Sequence, residues 1–203
     1  MAKKITVVSP KGAAVFPALS RPDCKFDDLG MYKADLRIPI EEAKKFMANL
    51  SEHFKSHMGK APSKKENTMW KVEEDDDGNE TGNVIFKFRV KNKAKKDGTI
   101  WDRRPRMFDA KNKPISDGTN PWGGTIMSVA AEVYGWNAGG KKGVSLQPLA
   151  VQITELVTGN GGGNGSNFGF GETEGYTSDE VKEDMPFEET NATESSENDE
   201  EDY

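Results

Sequence analysis

Val84-Ile85-Phe86-Lys87-Phe88-Arg89-Val90-Lys91 is the stretch whose reading decides the fold. Val84, Phe86, Phe88 and Val90 fall on one side and Ile85, Lys87, Arg89 and Lys91 on the other. That period of two belongs to a strand with one face in a core and the other in water. Upstream, Met31 to Ile38 alternates in the same way, with Tyr32, Ala34, Leu36 and Ile38 inward and Lys33, Asp35 and Arg37 outward. Pro39 then opens a helix in which Ile40, Ala43, Met47, Leu50 and Phe54 recur at spacings of three and four, and Gly59 with Pro62 supplies the stop. Downstream, Ile126 to Trp136 puts Met127, Val129, Ala131 and Val133 inward and Glu132, Tyr134 and Trp136 outward. A turn at Gly139 to Gly143 returns the chain into Val144 to Leu156. There Pro148 shifts the inward phase from Val144 and Leu146 to Leu149, Val151 and Ile153, which needs a bulge or an edge position. Ile5 to Val8 and Ala13 to Ala18 read as one broken strand, Arg104 to Asp109 as a short one, and Glu73 to Glu80 as an acidic turn. Five to six strands with one helix in the first third predict an all-β fold, a small closed barrel of the OB type.

Charge divides the chain more sharply than hydropathy does. Fourteen carboxylates lie between Glu172 and Tyr203 against one base, Lys182. That segment carries −13, and residues 1–171 carry +7, which together make the −6 of the whole chain. A segment so acidic repels itself and has little to bury, so it is expected to be disordered. Residues 159–171, rich in Gly and Asn, read as a flexible linker. The expected organisation is a folded domain over 1–158, a linker over 159–171 and an acidic tail over 172–203. A single cysteine, Cys24, excludes an internal disulfide framework. No stretch approaches the roughly 20 apolar residues of a membrane helix, and no apolar run of signal-peptide length follows Met1 to Ile5. A soluble, intracellular protein is expected.

Positive charge is concentrated as well. Between Lys87 and Arg106 stand nine bases (Lys87, Arg89, Lys91, Lys93, Lys95, Lys96, Arg103, Arg104 and Arg106) and two acids, Asp97 and Asp102. Lys87, Arg89 and Lys91 share the outer face of one strand, a spacing suited to phosphates along a single nucleic-acid strand, or simply a solvated face. The rings sharpen the first reading. Tyr134 and Trp136 point outward, where bases could stack on them, though they could also sit under the helix or in a dimer interface. Trp101 and Phe108 flank the arginine cluster, and Phe86 and Phe88 read as core. The outward Lys33 and Arg37 and the turn residues Lys141 and Lys142 complete the candidate DNA-binding set. Other patterns carry less. His53 and His57 lack a third ligand, Glu73 to Gly78 lacks the closing Glu of a calcium loop, and Gly139 to Gly143 lacks the order of a phosphate loop. Two histidines and one cysteine give no recoverable nucleophile–base arrangement. No metal, cofactor or enzymatic activity is expected.

Several of these segments resemble the single-stranded DNA-binding proteins of short-tailed phages with a T-seven-type replication module. Gly30 to Pro39 is similar to that family's second strand running into its helix, and Phe86-Lys87-Phe88-Arg89 to its middle strand. Tyr134-Gly135-Trp136-Asn137, Val144 to Gln147 and Thr154-Glu155-Leu156 resemble its closing hairpin, and Glu200-Glu201-Asp202-Tyr203 its acidic tail tip. The resemblance implies an OB fold, a homodimer and sequence-independent binding of single-stranded DNA in phage DNA replication, recombination and repair, in the cytoplasm of the infected bacterial host. It also implies a tail that contacts the replicative DNA polymerase and the helicase-primase, here through Glu200, Glu201, Asp202 and Tyr203. The expected mechanism is a tail that occupies the DNA groove and is displaced by DNA. An RNA-binding OB protein and an acidic-tail interaction adaptor are the alternatives.

Overall fold

The computed structural model describes residues 4–64 and 66–159, all within one compact unit. The linker beyond Gly159, the tail and its docking residues Glu200, Glu201, Asp202 and Tyr203 lie outside the described residues. In chain order the elements are β1 (Thr6–Val8), β2 (Gly12–Ala14), β3 (Ala18–Asp23), β4 (Met31–Lys33), β5 (Leu36–Pro39), α1 (Ile40–Met58), β6 (Trp70–Glu74), β7 (Glu80–Phe86), β8 (Arg89–Lys91), β9 (Lys93–Ala94), β10 (Ile100–Trp101), β11 (Arg106–Phe108), β12 (Ile126–Ala138) and β13 (Lys141–Glu155).

Five staves close the barrel. β2 with β3, β4 with β5, β7 with β8, β13 and β12 follow one another around it, and β12 returns to β2. A parallel bridge between Phe88 and Leu146 joins the third stave to β13. This is the OB arrangement, with the helix inserted between the second and third staves. The two decisive alternating stretches are partners: Leu36 lies opposite Phe86, and Lys33 opposite Arg89, in one uninterrupted register.

The second and third staves are nevertheless each two strands rather than the single one expected. The interruption has a cause in hydrogen bonding. Up to Lys87 the third stave pairs with Met69 beside β6, Lys87 N–H donating to the Met69 carbonyl at 2.8 Å. At Phe88 it turns to Leu146 instead. The Ala34 N–H to Phe88 carbonyl bond, 2.9 Å, keeps the register through the bend.

Phe86 and Phe88 are fully buried, as their alternation requires, and Phe86 packs its ring against Phe46, Trp70 and Phe88. On α1 the buried stripe is Ala43, Phe46, Leu50 and Phe54, so Phe46 replaces the expected Met47, which is only half-buried. Gly59 ends the helix at φ 76°, donating its N–H to the Lys55 carbonyl. The C-terminal turn of α1 is wedged against β12: a Cβ on Gly135 would meet the His57 ring at 2.4 Å.

Three expectations are corrected. Ile5 to Ala18 is not one broken strand, because β1 and β2 pair separately with different parts of β12. Leu149 does not face inward. It is the extra residue of a bulge opposite Ala130 and Ala131 and is 43% exposed, while Pro148 is buried. Asp35, read as solvent-facing, is 6% exposed. Strand β6 carries no period-two signal and was not expected.

Candidate nucleic-acid interface

Charge accumulates on the outward face of the β4–β8 ladder. Lys33 lies opposite Arg89 and Met31 opposite Lys91. Like charges across a ladder repel, yet each cation here has a carboxylate of its own. Lys33 pairs with Asp23. The Arg89 guanidinium grips Asp35 from Nε at 3.3 and 3.2 Å. Lys91 Nζ reaches Asp27 at 2.8 Å. Each pair leaves its mark on the ionisation of one partner. Hydrogen bonding from Lys33 holds Asp23, and from Lys91 holds Asp27, below the usual carboxylate range, while Asp35 raises the Arg89 guanidinium.

One buried amide ties this face to its flanks. Asn92 donates its backbone N–H to the Gly30 carbonyl at 3.1 Å and its side-chain Nδ2 to the Leu29 carbonyl at 2.9 Å. Its Oδ1 accepts from the Arg103 N–H at 2.9 Å. The 24–30 loop, the end of β8 and the chain after β10 therefore meet at one side chain. Gly30 turns the loop at φ 77°, where a Cβ would strike Pro22 at 2.7 Å. On one flank Trp101 is 52% exposed. The Arg103 guanidinium lies 5.2 Å from its ring centre and donates from Nη2 to Gln147 Oε1 at 2.6 Å. On the other flank the loop carries Cys24, exposed, and Phe26, 85% exposed.

From Gln147 an outward row follows the β12–β13 hairpin. Gln147 lies opposite Glu132, Ser145 opposite Tyr134, and Gly143 opposite Trp136. The Trp136 indole covers Gly143, where a Cβ would come within 2.3 Å of the ring. Tyr134, 40% exposed, stands beside His53 and His57 at the end of the helix. Lys141 and Lys142 are exposed at the hairpin tip.

The structure thus regroups the expected residues. Lys33, Arg89 and Lys91 stand together on the β4–β8 ladder, Trp101 and Arg103 are tied through Asn92 to the residue that follows Lys91, and Tyr134, Trp136, Lys141 and Lys142 occupy the hairpin. Lys87 does not line up with Arg89. It turns to a shelf beside β6 lined by Lys64, Trp70 and Lys71. Arg37 pairs with Glu73 of β6, at 2.6 Å. Arg104 folds inward, its Nε 3.4 Å from the hydroxyl of buried Tyr32 and its Nη1 3.5 Å from Asp117. Arg106 is exposed on β11, opposite Ala150 of β13. The carboxylate partners, Asn92 and Phe26 escaped the sequence reading. Only Phe26 had a signal, as a ring in a polar loop beside Lys25.

Among the described residues no group of three or more His, Cys, Asp or Glu is placed to hold a metal, and no helix is long and apolar enough to cross a membrane. No family model matches the chain, and no curated protein matches it. Solved structures do. Gp2.5, a single-stranded DNA-binding protein encoded by bacteriophage T7, superposes at a TM-score of 0.59 and 23% identity, over 86% of this chain and 99% of that one. The single-stranded DNA-binding protein of bacteriophage Enc34 in complex with single-stranded DNA gives 0.56 at 15% identity, over 75% of this chain and 87% of that one. Its C-terminal truncation gives 0.57 at 14%, over 75% and 86%. The chain shares the fold of these phage proteins.

Proposed function

We propose that this chain binds single-stranded DNA without regard to sequence. The observation that carries the reading is the outward alignment of Lys33, Arg89 and Lys91, with the Trp101–Arg103 pair tied through Asn92 to the end of the same strand, on a barrel that resembles one solved with single-stranded DNA. The cations supply sequence-blind attraction to phosphates and the ring a surface on which any base stacks. Lys87, Arg37, Arg104, Arg106, Tyr134, Trp136, Lys141 and Lys142 belong to the wider path, with the hairpin row continuing the track away from Trp101. Residues 1–158 are the binding domain, 159–171 its linker and 172–203 a tail that competes for the same face. Once displaced, the tail docks the replicative DNA polymerase and the helicase-primase through Glu200, Glu201, Asp202 and Tyr203. The protein acts in phage DNA replication, recombination and repair, as a homodimer in the host cytoplasm.

The test is fluorescence anisotropy of labelled oligo-dT, with oligo-U and duplex DNA as competitors. Oligo-dT binding falls as salt rises, with a log–log slope of roughly −0.7 per phosphate neutralised. Effective competition by oligo-U would assign the face to RNA, and no binding at all would leave an interaction adaptor. Trp101→Ala weakens oligo-dT binding by about 1–3 kcal/mol and leaves the melting curve in place, because the ring is half in solvent. Unchanged affinity in that variant would move the stacking surface to the hairpin, where Trp136→Ala is the decisive comparison.

A further inference from the structure

We infer that the 24–30 loop is a displaceable counter-ion and a nucleotide subsite in one: Asp27 stands on Lys91 where a backbone phosphate belongs, and beside it Phe26 offers its ring to the adjoining base. The inference rests on the reading of this face as a single-stranded DNA track.

Four observations carry it. First, Asp27 is anchored by its own turn rather than by burial. Its Oδ1 accepts the Leu29 N–H at 3.1 Å, its carbonyl accepts the Gly30 N–H at 2.8 Å, and only Oδ2 is given to Lys91. A carboxylate held this way is a monovalent oxygen anion at the place on Lys91 that a phosphate oxygen would take. Second, the lysine of the pair is open to water, its side chain 62% exposed against 26% for Asp27. Exposed pairs are weak and screened by salt, so a polyanion can replace this partner. Third, Phe26 is 85% exposed, and the Lys25 ammonium lies over its ring, 5.4 Å from the centre. A bare ring with a cation on one face is the combination that takes a stacked base. Fourth, Asn92 holds Leu29 and Gly30 at the end of β8, so Phe26 is kept near Lys91 whether or not Asp27 is engaged.

The partner is therefore a nucleotide of a flexible single strand, phosphate on Lys91 and base on Phe26. Duplex DNA, with its bases stacked inside, has none to offer.

The test uses the full chain and labelled oligo-dT at low and high salt. Phe26→Ala weakens binding about tenfold at both salts. Asp27→Asn keeps the Oδ1 acceptor of the turn but loses the charge, and tightens binding roughly threefold at low salt, a gain that closes as salt rises. Asp28→Asn removes an equal charge from an exposed neighbour and serves as the control for net charge; it gives at most a small part of that gain. Phe26 is 85% exposed and Asp27→Asn keeps the turn's acceptor, so the variants melt as the parent does. A Phe26→Ala chain that binds as the parent, or an Asp27→Asn chain that gains no more than Asp28→Asn, overturns the inference while leaving the DNA-binding reading intact. Failure of the parent chain itself to bind oligo-dT overturns both.

Discussion

Removing residues 172–203 raises the affinity of the chain for oligo-dT by about tenfold or more at low salt, and the gain fades as salt approaches molar, where the screening length is about 3 Å. The deleted segment carries fourteen carboxylates and one lysine, against a net charge of +7 on residues 1–171. Reach is no obstacle. A flexible coil of 45 residues, the length from 159 to 203, would span roughly 35–40 Å, and a folded domain of residues 1–158 has a radius of gyration of about 15 Å. On the proposed competition, such a tether would hold a polyanion at high local concentration around Lys33, Arg89 and Lys91, and DNA would have to outcompete it. Anisotropy titrations of the full and shortened chains at two salt concentrations measure the effect. Equal affinities at low salt would rule out competition by the tail.

The largest loss of stability follows Phe88→Ala. Phe88 is fully buried, packs on Phe86 with ring centres 6.4 Å apart, and forms the bridge that joins the third stave to β13. Truncating a ring in such a site costs about 3–5 kcal/mol. For a domain of this size that lowers the melting temperature by roughly 6–20 °C. A thermal melt beside Trp101→Ala separates the two kinds of aromatic: the first variant loses stability, the second affinity. A Phe88→Ala chain that melts with the parent would mean that the barrel is closed by other contacts.

Local alternation made much of this legible. Val84 to Lys91 and Met31 to Ile38 announced two staves, and their buried and exposed sets match the structure apart from Asp35. Tyr134 and Trp136 were correctly placed on the outward side of β12, and the phase change near Pro148 was visible, although the residue it expels is Leu149. What stayed hidden depends on partners distant in the chain. Asp35 sits at an outward position and is covered because Arg89 reaches over it. Lys87 follows the rule of two, but the stave changes partner beside it and carries it to the Trp70 shelf. Trp101, legible only as a flank of the arginine cluster, gains importance from the Asn92–Arg103 bond, which no spacing reveals. Phe26 lies in a loop, where no periodicity exists to betray a side chain.

Cys24 has a practical consequence. It is the chain's one thiol, it is exposed, and it lies two positions from Phe26 in the loop moored by Asn92. A maleimide dye would therefore attach at a single known place without any engineered cysteine, and its emission would report events at Lys91 in real time during stopped-flow mixing.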